Sequence, residues 1–300
     1  MKYAVSISLG SSKRDKRVEV NFKGEKVVIE RIGLDGDVAK AKKMYESLDG
    51  QVDAFGMGGV DMYLRVGGKE HPLKAALKLI ENVHQTPVVD GRGLKHTLER
   101  RVFELAAPAL SGIPSFQQAF IPVAVDRIGL ATAACETSQS VIFGDLMVAL
   151  NLPLPIEGMQ NFLRVAKLMM PFVSNFPMSM LYYGSDGAEH EPKYVKYWEG
   201  SDLIAGDFLF MRKYMPERID GKTIITNTTT EENLLLLKER GARQVITTTP
   251  RYDGRSFGTN MMEAALTAYA AKGRPLTDDE LNALIDELDL RPQVDIFNNE

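Results

Sequence analysis

The sequence predicts an α/β protein of two lobes, with an open, mostly parallel sheet in the C-terminal lobe. Three observations predict it. Beyond residue 119, short apolar runs alternate with amphipathic stretches, the order produced by parallel strands joined through helices. The N-terminal region instead opens with alternating residues and turn signals, the pattern of antiparallel strands. Between them "APALSGIPSFQQ" (107–118) loses helical periodicity and carries two prolines, which marks a boundary. The expected lobes are therefore 1–110 and 111–300.

In order along the first lobe, Tyr3–Leu9 alternates, "GSSKRDK" turns, Val18–Phe22 alternates, and a Lys23-Gly24 turn leads into Lys26–Ile32. This predicts an antiparallel meander. A helix starting near Asp37 turns Val38, Ala41, Met44, Tyr45 and Leu48 inward. "VDAFGMGG" (52–59) reads as a buried strand ending in glycines. A strand (61–66), a helix (72–84), "TPVVDG" (86–91) and a helix over 94–106 follow.

In the second lobe "AFIPVAV" (119–125) leads through "DRIGLATAACETS" into "SVIFGD" (140–145). Residues 157–185 are methionine-rich and apolar on most faces, and read as a helical excursion forming a lid or a homodimer surface. Then come "DLIAGD" (202–207), a helix through "FMRKYM", "KTIITN" (222–227), a helix over 230–240, "QVITTT" (244–249) and a long helix over 259–272. Thr229 with Glu232 and Thr277 with Glu280 have capping-box spacing, the latter before a helix over 277–289.

Composition narrows the function classes. Hydrophobic content of 44% and charged content of 25% are ordinary for a globular protein. A net charge of −4 argues against general nucleic-acid binding, which needs a cationic surface. Cys135 is the only cysteine, so neither an intrachain disulfide nor a cysteine-based zinc cluster can form. No apolar run approaches the ~20 residues of a membrane span, and the first residues lack a signal-peptide core. These features predict a cytoplasmic protein. His71, His84, His96 and His190 lack metal-ligand spacing, and neither a nucleophile elbow nor a phosphate-binding P-loop motif is present.

The polar residues converge. "SVIFGD" and "DLIAGD" place Asp145 and Asp207 just past two apolar strands; Asp90 ends "PVVD", Asp126 ends "PVAVD", Asn227 ends "TIITN", and Thr247, Thr248 and Thr249 end "QVITTT". Each alone is a good helix cap. As a set at the tips of parallel strands they predict a crevice of the kind that holds ligands in doubly wound sheets. Into it comes "PRYDGRSFGTN", with Arg251 and Arg255 on a turn before a helix start. Thr248, Thr249, Arg251, Arg255, Ser256 and Thr259 are expected to bind an anionic substrate group there.

The βαβ unit at 119–145 has the length of a dinucleotide-binding half, which makes this lobe Rossmann-like. Asp145 lies roughly 20 residues past the strand-to-helix turn, where a ribose-binding acid belongs. Yet that turn reads "VDRIGLA" rather than G-x-G-x-x-G: Asp126 would repel a phosphate and Arg127 attract it. Asp145, Arg127 and Gly129, with Thr226, Asn227 and Thr228, form the expected cofactor side. The carboxylate of Asp145 favours NAD over NADP. Lys95, at a helix start in "GLKHTLERR", is the candidate for proton chemistry with Asp126 or Asp90.

Together "SLGSSKRD", "DAFGMGG", "VDGRGLKHTLER", "VDRIGLA", "VIFGDL", "AGDF", "YMPER", "KTIITNTTTEE" and "TTTPRYDGRSFGTNMMEA" resemble bacterial proteins labelled quinate 5-dehydrogenase, over roughly residues 4–266. The resemblance implies an NAD(P)-linked oxidoreductase of a hydroxylated cyclic carboxylate such as quinate or shikimate. Shikimate and quinate dehydrogenases carry a glycine-rich cofactor turn and a lysine in an N-V-T-x-P-x-K setting. Neither occurs here, so no catalytic residue transfers by motif. The other reading is a non-catalytic nucleotide- or metabolite-binding protein on a Rossmann-like fold.

Overall fold

The structure is a computed structural model describing residues 1–182, 190–252 and 255–297, with Arg255 described by its backbone alone. Its strands are β1 (Lys2–Ser8), β2 (Lys16–Phe22), β3 (Glu25–Gly33), β4 (Ala54–Gly58), β5 (Tyr63–Val66), β6 (Lys69–Pro72), β7 (Val88–Val89), β8 (Phe116–Ile121), β9 (Ser138–Phe143), β10 (Ile156–Glu157), β11 (Leu203–Ala205), β12 (Thr223–Thr226), β13 (Gln244–Thr247), β14 (Arg251–Tyr252), β15 (Arg255–Ser256) and β16 (Gln293–Ile296). Its α-helices are α1 (Val38–Leu48), α2 (Lys74–Leu77), α3 (Arg92–His96), α4 (Val102–Leu110), α5 (Ile128–Thr137), α6 (Asp145–Leu150), α7 (Met159–Val173), α8 (Met178–Leu181), α9 (Val195–Glu199), α10 (Phe208–Tyr214), α11 (Glu231–Glu239), α12 (Thr259–Ala270) and α13 (Asp278–Glu287).

Contacts divide the chain into two compact units, each assembled from three segments. One comprises Met1–Leu94, Lys167–Gly187 and Gly258–Asp289; the other comprises Lys95–Ala166, Ala188–Phe257 and Leu290–Glu300. The sequence reading divided the chain once, at 110, and gave α12 and α13 to the second lobe. In the structure both helices belong to the first unit. The apolar residues of α12 mark it as buried but do not say which sheet it covers.

The first unit is built on a five-stranded sheet of order β2-β3-β1-β4-β7. Only β2 and β3 are antiparallel neighbours; β1 lies parallel to both β3 and β4. This corrects the expected antiparallel meander. The alternation in β1 comes from Ser6 and Ser8, which are as buried as their apolar neighbours. The strand is covered on both faces, as parallel strands are. On one face Asn260 of α12 donates to Ser6 Oγ at 2.7 Å. A Cβ on Gly56, beside Ser6, would stand 2.7 Å from the Asn260 carbonyl oxygen. Phe55 points to the opposite face, where its ring meets Tyr45 of α1 edge-on.

The second unit carries a seven-stranded sheet of order β10-β9-β8-β11-β12-β13-β16. Its five central strands are parallel, and β10 and β16 close the edges antiparallel. The order runs outward from β8 to β9 on one side and from β11 to β13 on the other, which is the doubly wound, Rossmann-like arrangement with its switch point between β8 and β11. Strand β8 ends at Ile121 because Pro122 has no donor for the ladder. Buried Phe120, Trp198, Ile204, Ile224 and Val245 form the core on this sheet. The cap of α11 falls one residue later than expected, with Thr230 accepting from Asn233 N, while Thr277 caps α13 with Glu280 as read. No helix among the described residues is long and apolar enough to cross a membrane.

Candidate functional site at the switch point of the second sheet

Because β8, β9, β11, β12 and β13 are parallel, Asp126, Asp145, Asp207, Asn227 and Thr247 all lie at one sheet edge. The turn from β8 into α5 is closed from below. Asp145 Oδ1 accepts from Ala124 N at 3.0 Å and Val125 N at 2.9 Å, and Arg127 N donates to Ala124 O at 2.8 Å. Asp145 Oδ2 is buried with no hydrogen-bond partner. Burial pushes this carboxyl up to about 7 against the pull of the two amides.

Arg127 organises the centre. Its Nη1 donates to Glu99 Oε1 at 2.5 Å and its Nη2 to Asp207 Oδ2 at 3.0 Å, while Nε stands 3.5 Å from Asp126 Oδ2. Asp207 caps α10 through Leu209 N at 2.9 Å and also accepts from Asn227 Nδ2 at 2.9 Å. The Arg127–Asp207 pair thus bridges the tips of neighbouring β8 and β11 across the switch point. Lys95 Nζ lies 3.4 Å from Asp126 Oδ2. Lysine and arginine are almost fully buried, whereas Asp126 and Asp207 keep 23% and 21% of their side chains exposed. The opening of the cluster is therefore acidic.

Two carboxyls of the cluster move in opposite directions. Burial works against the charge of Asp126, but Lys95 and Arg127 outweigh it and hold Asp126 below its ordinary value. Burial pushes Glu99 up to about 7 despite Arg127 and Lys95. Gly129 lets these groups meet. A Cβ there would stand 1.9 Å from the Lys95 carbonyl oxygen, so only glycine allows the first turn of α5 to approach that backbone.

Lys95, Asp126, Arg127, Gly129 and Asn227 are thus brought together, with Thr226 donating to Asn227 Oδ1 at 3.2 Å and Thr228 next in the chain, half-buried. Asp90 and Thr259 belong to the first unit. Asp90 there accepts from Met62 N at 2.7 Å, Tyr63 N at 3.3 Å and Arg92 N at 3.1 Å, which holds a turn. In the "TTTPRYDGRSF" loop the polar groups mostly bind the loop to the sheet. Arg251 grips Asp295 of β16 through both terminal nitrogens, at 3.4 and 2.8 Å. Thr249 Oγ1 is within 2.9 Å of Asn227 O and 2.6 Å of Phe257 O, and Ser256 Oγ accepts from Thr229 N at 2.7 Å. Thr248 Oγ1 is buried without a partner. The Arg255 side chain lies outside the described residues.

Sequence reading missed Glu99 and Asp295. Glu99 stands four residues after Lys95, a spacing that puts both on one face of a helical stretch. Asp295 follows the last expected helix and carried no local signal.

Residues 93–297 match the family described as domain of unknown function (DUF8754). The chain belongs to that family. Residues 3–90 match a second description, domain of unknown function (DUF8753). No curated protein matches the chain. Among solved structures, the NAD-dependent malic enzyme of Thermotoga maritima aligns at 14% identity and a TM-score of 0.40, over 94% of this chain and 75% of that one. A malic enzyme of Entamoeba histolytica aligns at 10% identity and 0.42, over 94% of this chain and 61% of that one. Aspartate transcarbamoylase of Trypanosoma cruzi aligns at 12% identity and 0.33, over 90% and 82%. None of these scores reaches one half, so the fold assignment of this DUF8754 member rests on its own strand order.

Proposed function

We propose that the chain is a nicotinamide-linked oxidoreductase acting on a hydroxylated carboxylate, with quinate and shikimate as the substrate type. The observation that carries this reading is the Lys95–Asp126 pair, 3.4 Å apart at the switch point of a doubly wound sheet. Oxidation of a secondary alcohol removes a hydroxyl proton and a hydride. Lys95, once deprotonated, takes the hydroxyl proton, and ionised Asp126 orients the Lys95 amine through their contact.

The fit of a dinucleotide is supported by the unpartnered, buried Oδ2 of Asp145 just past β9, an acceptor suited to a ribose hydroxyl. The nicotinamide would supply the hydride acceptor, and Asp145 with Thr226, Asn227 and Thr228 would hold the cofactor. Isothermal calorimetry with NAD and NADP, followed by reduced-nicotinamide absorbance with quinate or shikimate, tests the reading. Binding of NAD with turnover that Lys95→Met abolishes is the expected result; absence of binding by either dinucleotide overturns it.

A second reading, a non-catalytic nucleotide- or metabolite-binding protein, is favoured by the β8–α5 turn. The turn has no glycine before Gly129, the amides of Ala124 and Val125 already serve Asp145, and the charge of Arg127 is engaged by Glu99 and Asp207. Binding of a nucleotide or cyclic acid with no turnover in either direction would select it.

A further inference from the structure

We propose that Glu99 is a positioning residue for the Lys95–Asp126 pair, acting through Arg127 to set how much positive charge Asp126 faces and how tightly Lys95 holds its proton. A guanidinium is a rigid planar fork, so fixing two of its nitrogens fixes the third. Glu99 on Nη1 and Asp207 on Nη2 do this, and Nε consequently stands 3.5 Å from the same Asp126 oxygen that Lys95 approaches at 3.4 Å. Asp207 is itself held by Asn227 and by the first turn of α10, and Glu99 anchors the other terminal nitrogen of the guanidinium.

Glu99 is fully buried, and its Oε2 has no hydrogen-bond partner. A buried, half-satisfied carboxylate is costly and adds little to stability that a neutral side chain would not. The charged groups facing it are Lys95 from α3, Asp126 and Arg127 from the β8–α5 turn, and Asp207 from the β11–α10 turn. Because burial brings Glu99 up to about 7, it changes charge in the neutral range. When it is ionised, Arg127 is shared with it; when it is neutral, Arg127 bears more fully on Asp126, and Lys95 loses a nearby anion. Proton affinity at Lys95 then falls.

The significance for turnover rests on the proposed oxidoreductase reading, but the test does not. Carbon-13 NMR of protein labelled at the lysine ε-carbon and the glutamate δ-carbon follows both groups without substrate or dinucleotide. In the wild type, the Lys95 signal should inflect in step with the Glu99 carboxyl in the neutral range, before its own titration. In Glu99→Gln that inflection should vanish, and the Lys95 midpoint should fall by about half a unit or more. A wild-type Lys95 signal that does not move through the Glu99 titration overturns the proposal, whether or not the variant folds. So does an unchanged Lys95 midpoint in folded Glu99→Gln. Failure to find turnover would count against the oxidoreductase and leave this result standing.

Discussion

Glu263, on α12, is 4% exposed and accepts from Leu94 N at 3.2 Å. Burial, with the charge of Asp90 adding to it, pushes this carboxyl up to about 8. A carboxyl whose pKa is raised on folding binds its proton in the native state while the unfolded chain has released it. Its stability contribution is therefore full at low pH and is lost as pH rises from the unfolded value near 4.5 through about 8. Urea unfolding of Glu263→Gln between pH 5 and 8 should show a flatter loss of stability than wild type, by up to about 1.4 kcal/mol per pH unit; an unchanged slope contradicts the assignment. Asp145 carries a related expectation for ligand choice. Its carboxyl titrates at about 7, so any preference for NAD over NADP should widen between pH 6 and 8 as the carboxylate forms opposite a 2′-phosphate. Calorimetry at the two pH values checks this, and a constant ratio places Asp145 away from the ribose. At this scale the sequence revealed the groups but not their pairings. Lys95 and Asp126 were each singled out, but Lys95 lies in the last turn of α3 and not at the helix start its sequence context suggests. Arg251 read as a ligand for an anion, yet its partner is Asp295, 44 residues on, in a strand with no local signal.

At the scale of elements, the close approach of α5 to the Lys95 backbone depends on Gly129. Alanine favours helices over glycine by roughly 1 kcal/mol, so propensity alone predicts that Gly129→Ala stabilises. A Cβ at 1.9 Å from a carbonyl oxygen cannot be accommodated without moving backbone, and such overpacking costs roughly 1–3 kcal/mol. The steric effect should win: chemical denaturation should show net destabilisation, together with a changed Lys95 NMR signal. By contrast Thr277 was legible from spacing alone. Its hydroxyl accepts from Glu280 N, and the Glu280 carboxylate accepts from Thr277 N at 2.8 Å. Thr277→Ala should cost about 1 kcal/mol, seen as a lower Tm, because a helix-end donor loses its partner. Local rules succeed where an element's partner lies within a turn of it. They failed for β1, whose buried serines imitate the alternation of a half-exposed strand, and only its neighbours show that both faces are covered.

At the scale of the whole molecule, the chain order and the spatial order part company. The open parallel sheet of the second unit was legible because β8, β11 and β12 each lead through one helix to a parallel neighbour, so sequence order and sheet order are linked. The first unit recruits its last layer from 258–289, far along the chain. Helix α12 packs on β1, β3 and β4, with Met261, Met262, Ala264, Ala265, Leu266 and Ala268 buried. Without it, the face of β1 and β4 carrying Ser6 and Gly56 has no cover from residues of α12, and parallel strands are not stable with an open face. A fragment of residues 1–92, which contains the whole 3–90 family match, should therefore lack a cooperative thermal transition and dispersed amide NMR signals. Adding a peptide of residues 258–289 should restore dispersion to the β1 and β4 amides first, since Asn260 reaches Ser6 and lies against Gly56. A folded 1–92 fragment would show that α1 and the strands suffice, and that α12 is an addition to a sheet already complete.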